Sequence, residues 1–156
     1  MVILNSMTEQ DYEGFLSQSI IDYAEDKVKA GTWAPSEAQE LSRKSFEQLL
    51  PEGLNTPNSY LYAVVDPAVD VKVGYLWIHI SDEPLGRSAF IYDIMIYENF
   101  QGKGYGTQTM SALEEEAKRL QVDKILLHVF GHNKIALGLY QKMGYEVTDI
   151  SMSKRL

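Results

Sequence analysis

The order of apolar and polar positions predicts that the chain opens with two helices. Thr8, with Asp11 three residues later, resembles a helix capping box, and an apolar face at helical spacing continues from there to Gly31. The pattern then restarts with Ser36 and Gln39 as a second capping pair, followed by apolar positions up to a Pro-Glu-Gly stretch. Both segments are therefore expected to form amphipathic helices.

A change of pattern after these helices predicts three successive antiparallel strands. The segments SYLYAVVD (59–66), VKVGYLWIHISD (71–82) and SAFIYDIMIY (88–97) are rich in β-branched and aromatic residues. Asp-Pro and Pro-Leu-Gly turn signals separate them, and the separations are short enough for hairpins. We expect a meander in which each strand pairs with the next.

The second half of the chain alternates helix and strand. Its segments are a glycine-rich turn, a helix carrying MSALEEEAKRL, a strand KILLHVF, a short helix NKIALGLYQKMG and a terminal strand or hairpin YEVTDISMSKRL. An antiparallel meander that continues into a βαβ-like half predicts an α/β fold with a mixed, mostly antiparallel sheet and helices on both faces. Residues 1–156 are expected to form a single domain.

Composition narrows the class of protein. The 156 residues are 45% hydrophobic and 23% charged, which is ordinary for a globular domain. No apolar run approaches the roughly 20 residues that a membrane helix needs, and no secretory signal is visible, so no membrane partner is expected. The chain has no cysteine, which excludes disulfides and thiolate nucleophiles and fits a cytoplasmic location.

The charge balance bears on the substrate. A formal net charge of −8 would repel nucleic acid and anionic lipid, so neither is an expected partner. A cationic substrate such as an amine would suit this field, although acidic proteins are often acidic only for solubility.

The segment QGKGYGTQ (101–108) is the first candidate for chemistry. It is not a phosphate-binding P-loop, because no Gly-Lys-Ser/Thr follows, and it does not have the Gly-x-Gly-x-x-Gly spacing of dinucleotide-binding turns. It lies between a predicted strand and a predicted helix, where main-chain N–H groups can converge on an anion. The alternative is a tight turn that needs glycine dihedrals and binds nothing.

A second motif decides between these readings. Asn133, Ala136, Tyr140 and the pair Gly144–Tyr145 follow the glycine segment in the order N-x-x-A-x-x-x-Y-x-x-x-G-Y. Together with Gln101-x-x-Gly-x-Gly, this arrangement resembles the GNAT superfamily of acyl-CoA-dependent N-acyltransferases. The motif-bearing resemblance covers about residues 88–147, and the preceding helices and strands match the order of the family's first half.

The resemblance implies an enzyme that transfers an acetyl group from acetyl-CoA directly to a primary amine, on a small molecule or a peptide N-terminus. It implies that the glycine segment holds the CoA pyrophosphate, that the strand before it pairs with pantetheine through its main chain, and that Asn133 contacts CoA. The implied cofactor-binding residues are Met95, Ile96, Tyr97, Gln101, Gly102, Lys103, Gly104, Tyr105, Gly106, Thr107 and Asn133.

The two proton transfers of such a reaction need an acid and a base. Tyr140 is implied to lie near the CoA sulfur and is the candidate acid, although it also falls on an apolar helical stripe typical of a core residue. His128 is the candidate base by its ordinary pKa. Tyr92, Asp93 or an ordered water are alternatives, and Asp93 would face the substrate only if a β-bulge intervenes.

Other residues complete the expectations. Tyr92 and Trp33 are candidate acceptor-binding residues, with helix packing as the alternative for Trp33. His128 and His132 have a metal-like spacing but no carboxylate between them, so no metal is expected. The rival function is a non-catalytic acyl-CoA-binding module with a protein partner. The sequence leaves the oligomeric state open, and only analogy with the family points to a homodimer.

Overall fold

The computed structural model describes all residues 1–156 and begins with the two expected helices. Helix α1 (Glu9–Lys29) starts in the capping box, because the Asp11 N–H donates to Thr8 Oγ1 at 3.1 Å and the Thr8 N–H donates to Asp11 Oδ2 at 2.9 Å. Helix α2 spans Ala38–Leu49, and its N-cap is Glu37, which makes no side-chain capping bond. The prediction that Ser36 caps this helix is therefore wrong.

A five-stranded mixed sheet forms the centre of the domain, in the order β1-β2-β3-β4-β5. All neighbours are antiparallel except β4 and β5, which are parallel. This confirms the predicted fold class. The strands are β1 (Ile3–Ser6), β2 (Ser59–Asp66), β3 (Val71–Glu83), β4 (Gly86–Ile96) and β5 (Lys124–Leu127). The later helices are α3 (Tyr105–Arg119) and α4 (Lys134–Lys142), and short 3₁₀ turns cover Gly53–Asn55 and Glu98–Phe100.

Each face of the sheet has its own buried cluster. Phe15 of α1 and Phe46 of α2 pack with Trp77 on one face, whereas Met110 and Leu113 of α3 pack with the sheet on the other. Alternate residues of β2 and β3 supply the two clusters, as the two-residue repeat of a strand requires. None of the helices combines the length and the apolar content of a membrane span.

Strands β4 and β5 diverge, and this divergence positions the candidate site. Their parallel pairing begins at Ser88↔Lys124 and ends at Ile91↔Leu127, whereas β4 continues to Ile96 along β3. Residues 92–96 therefore have a neighbouring strand on one side only. The main chain on the other side is an open edge that can pair with an extended ligand.

The two ends of the chain differ from the sequence prediction. Strand β1 was not predicted, because its four residues are too few to show an alternating pattern. It forms because it pairs with β2 from Ile3↔Val65 onward. The predicted terminal strand over 145–156 does not form, and Val147 and Ile150 are exposed there. Alternating apolar residues make a strand only when a neighbour accepts their main-chain hydrogen bonds, and β5 has no partner on its outer side.

Candidate active site

The glycine segment forms a turn that presents main-chain N–H groups at the start of α3. Gly102 and Gly104 have φ of 75° and 85°, in the left-handed region that glycine adopts without strain. The first hydrogen bond of the helix runs from the Gln108 N–H to the Gly104 carbonyl at 3.1 Å. The N–H groups of residues 102–107 make no hydrogen bond within the chain. This segment, which includes Lys103, Tyr105, Gly106 and Thr107, is a row of unpaired donors at a helix N-terminus.

Contacts with three other elements fix this turn. The Gln101 Nε2 donates to the Ile96 carbonyl at 2.9 Å, and the Tyr105 hydroxyl donates to Asp66 Oδ2 at 2.6 Å. A Cβ on Gly106 would lie 3.3 Å from Leu139 Cδ2, so α3 and α4 approach closely at this glycine. The turn is therefore held to the end of β4, to β2 and to α4.

The three residues predicted to pair with pantetheine do not all face the open edge of β4. The Tyr97 N–H donates to the Val73 carbonyl at 2.9 Å, so it is used within the sheet. A Cβ on Gly74 would lie 2.0 Å from the Met95 carbonyl oxygen, which places that carbonyl against β3. Because successive residues of a strand direct their main-chain groups to opposite sides, Ile96 directs its main chain to the open side.

A β-bulge at Tyr92 brings two neighbouring residues of β4 to the same face. The register of β3 and β4 passes from Ile78↔Ile91 to Trp77↔Asp93, which leaves Tyr92 without a partner. The Tyr92 ring stacks on Trp77 with 4.7 Å between ring centroids. Side chains directly opposite each other in an antiparallel pair lie on one face, so Asp93 also lies on the α1 side. Asp93 was expected to face the substrate only if a β-bulge intervened, and this bulge is present.

Asp93 is poorly solvated, and its charged neighbours are acidic. Burial raises the pKa of its carboxyl to about 7, the Ser19 hydroxyl opposes this rise as a hydrogen-bond donor, and the charges of Asp22 and Asp26 add to it. Ser19, Asp22 and Asp26 belong to one face of α1. The pKa places Asp93 near half ionisation at neutral pH, as a general base requires.

Tyr140 lies on α4 and contributes to the cluster on the opposite face of the sheet. Its side chain is 8% exposed, and its hydroxyl makes no hydrogen bond within the chain. Burial raises the pKa of Tyr140 to about 12, and the charge of Asp93 contributes to that rise. Tyr140 is thus both a core residue and a protonated hydroxyl within electrostatic range of Asp93.

The two histidines lie in the connection between β5 and α4. His128 follows the end of β5, is exposed, and packs edge-on against Phe130 with 4.9 Å between ring centroids. His132 Nε2 lies 2.8 Å from Asp26 Oδ1, so the loop after β5 contacts α1. No three histidine or carboxylate side chains are grouped to hold a metal ion.

Asn133 and Trp33 both make contacts that support the fold. The Asn133 Oδ1 accepts from the Ala136 N–H at 3.3 Å and caps α4. Trp33 packs edge-on against Tyr23 with 5.5 Å between centroids, and the Lys27 ammonium lies 5.3 Å from the Trp33 ring. Trp33 therefore supports the connection between α1 and α2.

A cavity of about 520 Å³ lies between α1 and the ends of β3 and β4. It reaches Gln101, the first residue of the glycine segment. Its other lining residues are Gly14, Phe15, Gln18, Asp22, Tyr75, Met95, Tyr97 and Glu98. The cavity is continuous with the face of the sheet that carries Asp93.

Sequence reasoning missed the contribution of α1 to this site. Ser19, Asp22 and Asp26 recur at intervals of three and four residues, which places them on one helical face. That spacing was available in the sequence. What it could not show is that this face lies over β4.

The fold and the site together define a class of protein, the N-acetyltransferases, which is the class that the motif resemblance indicated. Comparison with known proteins agrees: the Acetyltransferase (GNAT) family matches residues 19–145 of the chain. The chain therefore belongs to the GNAT family of acetyltransferases, and it is an N-acetyltransferase.

The relatives extend over the whole chain. It is 43% identical to the Bacillus subtilis N-acetyltransferase YycN over 155 residues, covering 99% of both chains. It is 37% identical to YdgE from the same organism, covering 98% of this chain and 97% of YdgE. The crystal structure of YycN superposes with a TM-score of 0.96 over 100% of this chain and 99% of that chain.

One more distant structure contains the cofactor of the family. An acetyltransferase from Clostridium acetobutylicum, solved with acetyl-CoA, is 18% identical with a TM-score of 0.65, covering 99% of this chain and 96% of that chain. At that identity the likeness shows the fold alone.

Proposed function

We propose that the protein transfers an acetyl group from acetyl-CoA to a primary amine. Asp93 acts as the general base, and the Tyr140 hydroxyl acts as a hydrogen-bond donor to the leaving sulfur. The observation that carries this proposal is the β-bulge at Tyr92. It turns Asp93 towards α1, beside the open edge of β4 and within electrostatic range of Tyr140. One basic group and one protonated hydroxyl thus flank the opening between β4 and β5.

The residues present fit acetyl-CoA. The N–H groups of residues 102–107 lack acceptors, and a pyrophosphate carries the negative charge that a helix N-terminus favours. A Cβ at Gly102 would meet no atom within 4 Å, so the approach to these donors is clear. Ile96, and Ile94 two residues before it, direct main-chain groups to the open edge and would pair with the pantetheine amides. Bound acetyl-CoA supplies the activated acetyl thioester.

The raised pKa of Asp93 lowers the cost of deprotonating the amine. An alkylammonium group has a pKa near 10.4, so proton transfer to an ordinary aspartate costs about 9 kcal/mol. With the Asp93 pKa at about 7, the cost falls to about 5 kcal/mol. Burial of Asp93 therefore contributes about 4 kcal/mol to this step.

Tyr140 acts at the leaving sulfur of CoA. With a pKa of about 12 its hydroxyl remains protonated throughout the neutral range. A thiol has a pKa near 8.5, so full proton transfer from Tyr140 to a thiolate costs about 5 kcal/mol, and the hydroxyl stabilises the sulfur mainly as a hydrogen-bond donor. The ammonium nitrogen loses two protons in all. One passes to Asp93 before the amine attacks and is later released to solvent, and the one lost as the amide forms balances the proton that the sulfur gains.

The acidic face of α1 favours an amine acceptor. Asp22 lines the cavity, and Asp26 lies one helical turn further along α1. Their charges attract the ammonium form that predominates in solution. Asp93 then removes its proton where the amine meets the open edge of β4.

His128 is the alternative base that the sequence favoured. It is exposed and makes no hydrogen bond within the chain, whereas Asp93 is partly buried on the α1 side of β4 and its charge acts on Tyr140. We therefore assign the base to Asp93, and the His128→Ala variant serves as the comparison. A cytoplasmic location and a homodimer stay predictions of the sequence.

The test is release of free CoA, followed with a thiol reagent over a panel of polyamines, aminoglycosides, amino acids and N-terminal peptides. We expect at least one amine to give catalytic release that stops when the amine is blocked. No release with any amine, despite acetyl-CoA raising the melting temperature, would contradict the proposal and support a non-catalytic binder.

A further inference from the structure

The chain leaves the domain after Tyr145. The Tyr145 N–H donates to the Tyr140 carbonyl at 2.9 Å, and the Tyr145 ring packs on Tyr140 with 5.9 Å between centroids. The main chain of residues 146–156, here called the arm, makes no hydrogen bond within the chain. Every residue of the arm is exposed. The arm is therefore a segment whose main-chain donors and acceptors are all available to a partner.

The arm has the residue pattern of a strand with one buried face. Ile150 and Met152 alternate with the polar residues Asp149, Ser151 and Ser153. The two apolar side chains are nevertheless 75% and 92% exposed, respectively. The arm thus has the sequence of a half-buried strand but lacks a neighbouring strand to pair with.

Strand β5 has the complementary vacancy. It pairs with β4 alone, so its outer edge presents unpaired N–H and carbonyl groups. Its residues Ile125 and Leu127 are half-buried and pack against the cluster on the α3 side of the sheet, as does Tyr145. A strand added at this edge, with Ile150 and Met152 on the same side, would extend that cluster.

The protein exposes more surface than a compact monomer of its mass. Its accessible surface is 10258 Å², whereas a compact monomer of 17.7 kDa exposes about 7,900 Å². The excess is about 2,300 Å². A specific interface of standard size takes about 800 Å² from each partner. The extra surface is therefore sufficient for an interface with a second copy of the chain.

We propose that the protein forms a two-fold dimer in which the arm of each protomer pairs with the outer edge of β5 in the other. Such an exchange satisfies both arms and both edges at once, and it is closed, so that it leaves no further β5 edge for a third copy. The extended arm spans about 35 Å, whereas the four residues of β5 span about 13 Å, so the arm can reach a second protomer and still cover the strand. This dimer does not depend on the proposed acetyl transfer.

The alternative occupant of the β5 edge is the arm of the same protomer. The main chain of the arm makes no hydrogen bond to its own β5, and the outer edge of that strand is unpaired. The experiment must therefore distinguish pairing between chains from pairing within one chain.

Chemical cross-linking makes this distinction, because the chain has no cysteine of its own. The double variant Lys124→Cys/Ser151→Cys carries one cysteine on β5 and one on the arm, both at exposed positions. It is treated with a short bismaleimide and analysed by denaturing gel electrophoresis and by mass spectrometry of the linked peptides. We expect a covalent dimer of twice the 17.7 kDa chain mass, linked between position 124 and position 151.

The matched control is Val69→Cys/Ser151→Cys. Val69 is 62% exposed in the turn between β2 and β3, away from β5, so this variant should give no link between its two positions. A monomer linked internally between positions 124 and 151 would show that the arm folds back on its own sheet and would overturn the proposal. The absence of any link between these two positions would overturn it as well.

Sedimentation equilibrium from 0.1 to 100 µM measures the same dimer without cross-linking. We expect the wild type to have the mass of a dimer at the highest concentration. Ile150→Glu places a charge where pairing would bury an apolar side chain, and should raise the dimer dissociation constant at least about tenfold. Val69→Glu, the same kind of change at another exposed apolar residue, should leave the constant unchanged. A wild-type monomer at every concentration, or an Ile150→Glu dimer as tight as the wild type, would contradict the proposed exchange.

Discussion

Asp93 lies directly opposite Trp77 across the β3–β4 ladder, because Tyr92 is bulged out of the register between them. With regular pairing, Tyr92 would lie opposite Trp77 and Asp93 opposite Leu76, whose side chain belongs to the cluster on the α3 side. The bulged pairing at Tyr92 therefore determines which face of the sheet carries the carboxyl group. The effect of Asp93 on stability, the role of Tyr140 in turnover and the binding of the cofactor can each be measured separately.

The stability of the fold should depend on pH through Asp93. The ordinary aspartate pKa is near 3.9 and the folded value is about 7, so between these values the folded state holds a proton that the unfolded chain has released. Stability is then lost as pH rises through this window, by up to about 4 kcal/mol. Asp93→Asn should therefore raise the melting temperature at pH 8 relative to wild type and change it little at pH 4.5. An equal shift at both values would show that Asp93 is ionised normally.

Removal of the Tyr140 hydroxyl should affect turnover more than binding. We expect Tyr140→Phe to lower kcat by about 10²-fold, the usual contribution of a positioned proton donor. The phenylalanine keeps the packing of the ring, so the acetyl-CoA affinity measured by calorimetry should stay within about threefold. Tyr145→Phe is the control, since that hydroxyl is buried without a partner on the same side of α4. A wild-type rate in Tyr140→Phe would remove Tyr140 from the mechanism.

Gly104 should be required for both the turn and the cofactor. Gly104→Ala places a side chain at φ of 85°, which costs about 1 kcal/mol and disturbs the donors that follow. We expect weaker acetyl-CoA binding by calorimetry and a lower melting temperature. Gly138→Ala, the same substitution inside α4 where a Cβ meets nothing, should instead stabilise by up to about 1 kcal/mol. Unchanged acetyl-CoA affinity in Gly104→Ala would argue against pyrophosphate binding at this turn.

Two substitutions separate the helix cap at Asn133 from its predicted contact with CoA. Asn133→Ala removes the cap of α4 and should cost about 1 kcal/mol, whereas Asn133→Ser keeps a capping oxygen and should retain most of the stability. Both variants lack the side-chain amide, so both should bind acetyl-CoA more weakly if that amide contacts CoA. Normal affinity in Asn133→Ser would limit this residue to capping.

The fold could be predicted from sequence because each of its main elements carries its own signal. The capping box at Thr8, the alternation in β2 to β4 and the glycine before α3 are local patterns. Strand β1 and the absence of a strand over 145–156 could not be predicted, because a strand at an edge depends on its neighbour rather than on its own residues.

The site was only partly predictable for a related reason. The motif residues of the glycine segment, Asn133 and Tyr140 stand at fixed spacing in the sequence. The position of Asp93 depends on a bulge that shifts register between two strands, and no pattern within β4 specifies it. Ser19 and Tyr75 are 56 residues apart, and their contact exists only after α1 packs on the sheet.

The most direct test of Asp93 as the base is the pH dependence of kcat/KM for CoA release, measured with an amine acceptor for wild type, Asp93→Asn and His128→Ala. Because the base must be deprotonated, the wild-type rate should rise with pH through about 7 and then level, the midpoint following the Asp93 pKa. Asp93→Asn should lose this limb and about 10²-fold in rate, while His128→Ala keeps both. An Asp93→Asn variant with the wild-type limb, or a His128→Ala variant without it, would contradict the assignment.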